Sequence, residues 1–133
     1  MSTYQEKLSI LSEMIAFARV DKTIKASEYN FLISVSENLG VAKSKLDELL
    51  LQKAEKKVLR SQVDRIVQFH RLLLLMNIDK KQTKAEITKL HNMGLKMGLP
   101  PSAIGQVLEI MHQYPNKVVP AEILINIFKA HYN

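Results

Sequence analysis

The sequence predicts an all-α fold of about seven helices, arranged as two tandem, pseudo-symmetric three-helix repeats followed by one C-terminal helix. Three observations lead to this prediction. Apolar residues recur at helical spacing in seven segments, Gly40, Gly98 and the four prolines fall between those segments, and the pattern of the first half recurs 58 positions later. No stretch alternates with period two for long enough to indicate a strand.

Seven apolar stripes mark the predicted helices in chain order. Each stripe gathers residues that share one face of a helix, because they recur three or four positions apart. Glycines at 40 and 98 end helical patterns, and prolines at 100, 101, 115 and 120 open them. The stripes are Leu8, Leu11, Met14, Ile15 and Ala18; Phe31, Leu32, Val35 and Leu39; Leu46, Leu49 and Leu50; Val63, Ile66, Val67, His70, Leu73 and Leu74; Leu90, Met93 and Met97; Ile104, Leu108 and Met111; and Ile123, Leu124, Ile127 and Phe128.

The repeat keeps its register without a gap. Acidic, glycine and apolar positions all recur at the same offset, which makes chance an unsatisfactory explanation. We predict one domain over 1–133, with repeat one at about 4–51, repeat two at about 61–111 and the extra helix at about 120–131. Because neither repeat could bury its stripes alone, we expect the two to share one core. The matched pairs are Asp21/Asp79, Glu28/Glu86, Gly40/Gly98, Leu32/Leu90, Val35/Met93, Leu39/Met97, Leu46/Ile104 and Leu50/Leu108.

The composition favours a folded domain in a reducing compartment. The chain has 133 residues, 47% of them hydrophobic, which suits one globular domain. It has no cysteine, so disulfides, thiolate metal sites and a cysteine nucleophile are excluded. The first 13 residues lack the apolar core of a signal peptide, and the apolar run 72–76 is too short to span a bilayer. We therefore expect a soluble, cytoplasmic protein.

The net charge of +6 is concentrated in one stretch. Between Lys43 and Arg71 there are eight basic side chains and four acidic ones. An excess of this kind is compatible with nucleic acid, an anionic membrane surface or an acidic protein as partner. A solvated helical face is the simpler interpretation.

Two acidic loops are the candidate site. Each repeat has an Asp in the turn after its first helix and a Glu in the first turn of its second helix. A pseudo-two-fold axis would bring Asp21, Glu28, Asp79 and Glu86 together, and four carboxylates suit Ca²⁺ or Mg²⁺. The simpler interpretation is a capping box of Thr83 and Glu86, incomplete in repeat one because Lys25 replaces the threonine. The loops do not follow the EF-hand pattern and contain five lysines, so we expect weak or no specific binding of either metal.

The remaining polar residues do not indicate catalysis. The four histidines lack metal-site spacing, and there is no Gly-rich phosphate loop or Ser/His/Asp signature. We expect His70 to be semi-buried and hydrogen-bonded, and His91, His112 and His131 to be surface residues. We also find no recognition-helix motif and no aromatic RNA-binding run. We therefore expect no catalytic residue and no enzyme activity.

The chain resembles the TerB-like domain family, named for bacterial tellurite-resistance proteins. The resemblance covers Leu8 to Met111 and lies in segments 16–21 with Glu28, 39–41, and 97–100 with Asp79 and Glu86. It implies a bacterial, cytoplasmic, all-α fold with two pseudo-symmetric halves. It also implies a non-catalytic module linked to stress and metal resistance, often beside membrane or chaperone partners.

The family's acidic loop residues have been taken as a possible cation site, which here would be Asp21, Glu28, Asp79 and Glu86. This chain departs from the family at Lys22 and Lys80, where an Asp-Gly loop is usual, and in being basic. We expect a helical interaction module with a protein partner, one that can be membrane-associated. The alternatives are a basic binder of nucleic acid or anionic membrane and a divalent-cation-binding module.

Overall fold

The structure, a computed structural model, describes residues 3–19, 23–51, 59, 61–78 and 83–131. Within those ranges it contains seven α-helices and no strand, which confirms the predicted fold class. The chain divides into two compact units, Met1–Leu59 and Arg60–Asn133. The prediction that the two repeats share one core stays a prediction.

The first unit contains α1 (Tyr4–Ala18), α2 (Ala26–Leu39) and α3 (Lys43–Leu51). Each of these helices contacts the other two. Helix α2 ends at Gly40, whose φ of 74° lies in the left-handed region that side chains with a Cβ resist. This glycine lets a three-residue turn lead directly into α3, so that the two helices pack against each other.

Hydrogen bonds hold both ends of α1 in the first unit. Thr3 and Glu6 form a capping box at the start of α1. The guanidinium of Arg19, just beyond the end of α1, donates to the carbonyl oxygen of Leu50 near the end of α3. A cation at a helix C-terminus also interacts favourably with the helix dipole.

The second unit contains four helices and two short 3₁₀ turns. Helix α5 contacts α4 and α6, and the additional helix α7 contacts the same two helices. The elements are α4 (Gln62–Met76), α5 (Lys84–Lys96), α6 (Pro101–Ile110), the 3₁₀ turns Met111–Gln113 and Pro115–Lys117, and α7 (Ala121–His131). The rings of Phe69 on α4 and Phe128 on α7 meet edge to face, with 5.6 Å between their centroids. Helix α7 is thus part of the apolar interior of its unit.

The helix bounds recur with the same period as the sequence. Helices α1 and α4 begin at residues 4 and 62, α2 and α5 at 26 and 84, and α3 and α6 at 43 and 101, so each pair is 58 positions apart. Gly98 has a φ of 78°, close to the 74° of Gly40. Only the second unit has a described helix after the third one.

Most predicted core positions are buried, but two stripes are wrong in part. All five residues of the first stripe are buried, as are the three of the fifth. Val63 on α4 and Ile123 on α7, both predicted to face the core, are 50% and 36% exposed. In α4 the unbroken run of apolar residues after Arg71 hides the phase of the helix, and the side actually buried carries Phe69 and Leu72.

Candidate functional site

The carboxylate of Glu86 is part of a capping box at the start of α5. Its Oε1 accepts a hydrogen bond from the backbone N–H of Thr83 at 3.1 Å, and Thr83 Oγ1 accepts one from the N–H of Glu86 at 3.1 Å. Glu86 is only 4% exposed. The predicted capping box is therefore confirmed, and its acidic group is held at the positive end of a helix.

Glu28 occupies the same position at the start of α2. Its Oε1 accepts a hydrogen bond from the backbone N–H of Lys25 at 2.9 Å, and its side chain is 5% exposed. A lysine side chain has no acceptor, so it cannot return the second bond of the box. The capping box of the first repeat is thus half formed, as the sequence predicted.

The four predicted metal ligands are described only in part. Glu28 and Glu86 each use one oxygen on the N-terminus of their own helix. Asp21 and Asp79 lie outside the described residues, as do Lys22, Lys80 and Lys81. The part of the chain that the structure describes contains no group of three or more His, Asp or Glu side chains that could hold a metal ion. The cation site stays a prediction.

Two histidines join parts of the second unit. His70 on α4 is half-buried, and its Nε2 donates to the carbonyl oxygen of Val119 at 2.7 Å. The exposed His131, at the end of α7, donates from Nε2 to Gln106 Oε1 at 2.8 Å. Its Nδ1 lies 2.9 Å from the hydroxyl of Ser102 on α6. The prediction for His70 is confirmed, whereas the link from His131 to α6 could not be read from spacing.

The segment between α6 and α7 has an unusual backbone. Asn116 and Lys117 both have positive φ angles, 55° and 60°, although neither is glycine. The buried Asn77 donates from Nδ2 to the carbonyl oxygen of Lys117 at 3.2 Å. Together with the bond from His70 to Val119, this anchors the segment to α4 on both sides of Val118, whose side chain is 44% exposed.

A small polar cluster joins α2 to α3. The Tyr29 hydroxyl donates to Asp47 Oδ1 at 2.6 Å, and Lys43 Nζ donates to Asp47 Oδ2 at 3.0 Å. The Lys43 ammonium also lies 5.7 Å from the centre of the Tyr29 ring. The bond from Tyr29, followed by that from Lys43, lowers the pKa of Asp47. Tyr29 and Asp47 together raise the pKa of Lys43.

Much of the basic excess between residues 43 and 71 is occupied in local contacts. Lys43 pairs with Asp47, and Lys45 pairs with Glu48 at 3.1 Å. Arg65 donates to the carbonyl oxygen of Met97 at 3.2 Å, and Arg71 donates to Gln68 at 3.2 Å. Burial lowers the pKa of Arg71, and Asp64 partly opposes that shift. The other four cations of this stretch lie outside the described residues.

The outer face of α5 is the most basic surface of a described helix. Lys84 and Lys96 are exposed and Lys89 is half-buried, with Thr88 and Asn92 exposed between them. The acidic residue of this helix, Glu86, is buried in the capping box. The outer face therefore carries positive charge that no carboxylate of the helix offsets.

Comparison of the chain with family models, curated proteins and solved structures gives no match. Among the described residues no helix has the length and apolar character needed to cross a membrane. The fold and these side-chain contacts define the chain as an all-α protein built from helical bundles.

Proposed function

We propose that this chain is a non-catalytic helical interaction module that acts by binding a protein partner. The observation that carries the proposal is the anchored segment around Val118. Left-handed backbone at two successive non-glycine residues is unfavourable, and it persists where surrounding bonds enforce it. Here His70 and Asn77 supply those bonds, and the result is an apolar side chain held in solvent at a defined place.

The contacts of the polar residues support the same proposal. Glu28 and Glu86 cap helices, His70 holds a carbonyl group, and Asp47 holds Tyr29 and Lys43. Each of these groups has a structural task, and a surface that binds a partner requires no reactive group.

We propose further that the two units are copies of one three-helix repeat in the TerB-like manner. The support is the period of 58 shared by the sequence pattern and by the starts of six helices. On this proposal the module serves stress or metal resistance in the cytoplasm, beside a membrane or chaperone partner. A strain that lacks the gene should then become more sensitive to tellurite.

The binding role is tested by comparing two valines that are similarly exposed. Immobilised wild-type chain, Val118→Asp and Val63→Asp are used to capture proteins from the native lysate, and the captured proteins are compared by mass spectrometry. Val63 is 50% exposed on α4, so Val63→Asp is a matched control for the 44% exposed Val118. We expect a partner that wild type and Val63→Asp retain and Val118→Asp loses. Capture that is the same for all three contradicts the proposal.

One observation favours the basic binder as a second candidate. The second unit has ten Lys and Arg against five Asp and Glu, a net charge of +5, whereas the first unit has nine against eight, a net charge of +1. Nearly all of the excess charge of the chain therefore belongs to the second unit. The second unit is therefore the part of the chain that suits a partner with many negative charges.

A further inference from the structure

The two middle helices of the repeats have the same place in the fold but different outer surfaces. Helix α5 carries Lys84, Lys89 and Lys96 on its outer side. At the matching positions, 58 residues earlier, α2 has Ala26, Phe31 and Asn38, none of which is charged. Since both helices pack through the same buried positions, the lysines of α5 are not required by the repeat itself.

The chemistry of the α5 surface matches a phosphate backbone. The three lysines extend over 12 residues, which is about 18 Å along a helix axis. Thr88 and Asn92 lie exposed among them and supply hydrogen-bond donors of the kind that contact phosphate oxygens. The three ammonium groups form no ion pair with a carboxylate of the described residues. They are therefore available to displace counterions from a polyanion.

The same surface is poorly suited to lipid or to single strands. A helix that lies on a membrane needs an apolar face, and Leu95, 40% exposed, is the large apolar side chain exposed on α5. Single-stranded nucleic acid is usually held by aromatic side chains on which bases stack, and the sequence of α5 contains no Phe, Tyr or Trp, with the half-buried His91 as its one ring. A helix face with three cations and two hydrogen-bonding side chains fits the phosphate backbone of a duplex better than either of these.

The neighbouring helix α6 does not serve this purpose. In a helix–turn–helix reader the second helix of the pair enters the major groove. Here two outward polar residues of α6, Ser102 and Gln106, already contact His131, and the exposed Glu109 would repel phosphate. Of these two described helices, α5 therefore provides the contact surface, which suits binding to the backbone without reading of base sequence.

We infer that the outer face of α5 binds the phosphate backbone of duplex nucleic acid without sequence specificity. This inference rests on the proposed non-catalytic binding role and gives the second unit a partner of its own. It assigns Lys84, Lys89 and Lys96 to phosphate contacts and Thr88 and Asn92 to hydrogen bonds with the backbone.

The test is fluorescence anisotropy with a labelled 20-base-pair DNA duplex of random sequence, measured between 50 and 200 mM salt. Three phosphate contacts contribute about 2.7 to the slope of log K against log salt, which is roughly a 40-fold change in affinity over that range. The variant Lys84→Gln/Lys89→Gln/Lys96→Gln should lose at least ten-fold in affinity at 50 mM salt and about three units of slope. Glutamine is a good helix former, so α5 should persist, which circular dichroism checks.

Two further variants make the result specific to this surface. Lys25→Gln/Lys43→Gln/Lys45→Gln removes the same charge from the first unit and should change affinity less than three-fold. Lys84→Arg/Lys89→Arg/Lys96→Arg keeps the charge and should keep the affinity.

Equal loss in the Lys25, Lys43 and Lys45 variant would show that only net charge matters and would overturn the inference. So would stronger binding of the wild type to phosphatidylserine vesicles than to the duplex, or no binding to the duplex at 50 mM salt. Loss of duplex binding alone leaves the Val118-dependent capture unaffected, so the two proposals fail separately.

Discussion

Gly94 on α5 lies directly under Ile104 of α6. A Cβ placed on Gly94 would be 2.7 Å from Ile104 Cδ1, which is closer than carbon atoms pack, and 3.1 Å from Phe69 Cε1, which is tighter than ordinary packing. Ile104 and Phe69 are fully buried, so neither can move freely aside. At the matching position of the first unit stands Ser36, also small and fully buried. The close approach of α5 and α6 thus demands a small residue at position 94, and the first unit also has a small residue at the matching position.

Replacing Gly94 with alanine should destabilise the protein. Overpacking of a core costs about 1–3 kcal/mol, while alanine in place of glycine within a helix returns about 0.5–1 kcal/mol. We expect a net loss of roughly 0.5–2 kcal/mol in the free energy of unfolding, measured by urea denaturation. Gly105→Ala on α6 is the matched control, because a Cβ there would meet no neighbouring atom within 4 Å. That variant should gain about 0.5–1 kcal/mol, and a loss there of the same size as for Gly94→Ala would refute the packing argument.

The half-formed capping box at α2 can be completed. Lys25 already has the extended backbone of an N-cap residue, with φ −76° and ψ 158°, and Glu28 already bonds to its N–H. Lys25→Ser supplies the missing acceptor and should raise the free energy of unfolding by about 1 kcal/mol. Thr83→Ala and Glu86→Ala break the complete box at α5 and should each lower it by about 1 kcal/mol. Thermal melts decide this, and a Lys25→Ser protein less stable than wild type would contradict the prediction.

Calorimetric titration with Ca²⁺ and Mg²⁺ should give weak heats or none. Glu28 and Glu86 each have one carboxylate oxygen engaged by a backbone N–H, at 2.9 and 3.1 Å. The nearby lysines at 22, 25, 80, 81 and 84 oppose a cation at any metal concentration. Asp21→Ala and Asp79→Ala should therefore behave like wild type. A saturable signal that either substitution abolishes would establish the acidic loops as a cation site.

The cluster of Tyr29 and Asp47 predicts a measurable titration shift. The Tyr29 hydroxyl bond favours the ionised carboxylate and holds the pKa of Asp47 below the ordinary value of 3.8. Tyr29→Phe removes that donor, so the pKa of Asp47 should rise toward 3.8 in a carboxyl-detected NMR titration. The stabilising effect of a depressed pKa is present above the unfolded pKa and is lost as the pH falls through the folded one. An unchanged pKa in Tyr29→Phe would show that Lys43 alone causes the shift.

The sequence predicted the helices better than it predicted their surfaces. The helix ends could be predicted because they depend on residues within one helical turn. This holds for the left-handed glycines at 40 and 98 and for the capping box of Thr83 and Glu86. Val63 shares the helical spacing of Ile66 and Leu73, which are buried, but it lies in the first turn of α4, where it is 50% exposed.

The contacts that hold the candidate surfaces lie far apart in sequence. His70 meets Val119 across 49 positions and Asn77 meets Lys117 across 40, so no periodicity could reveal them. The left-handed backbone at Asn116 and Lys117 was equally hidden, because no glycine marks it. The sequence places its charge excess at residues 43–71, where ion pairs with Asp47 and Glu48 neutralise part of that charge. The outward lysines of α5 lie outside that stretch.

The edge-to-face contact of Phe69 and Phe128 has a consequence for synthesis on the ribosome. The two rings are 59 positions apart, so at about 5–20 residues per second Phe69 emerges roughly 3–12 seconds before the residue that covers it. During that interval Phe69 lacks one of the side chains that bury it, while the residues of the first three-helix unit have already been made. The second unit therefore cannot complete its interior until α7, which carries Phe128, has been made.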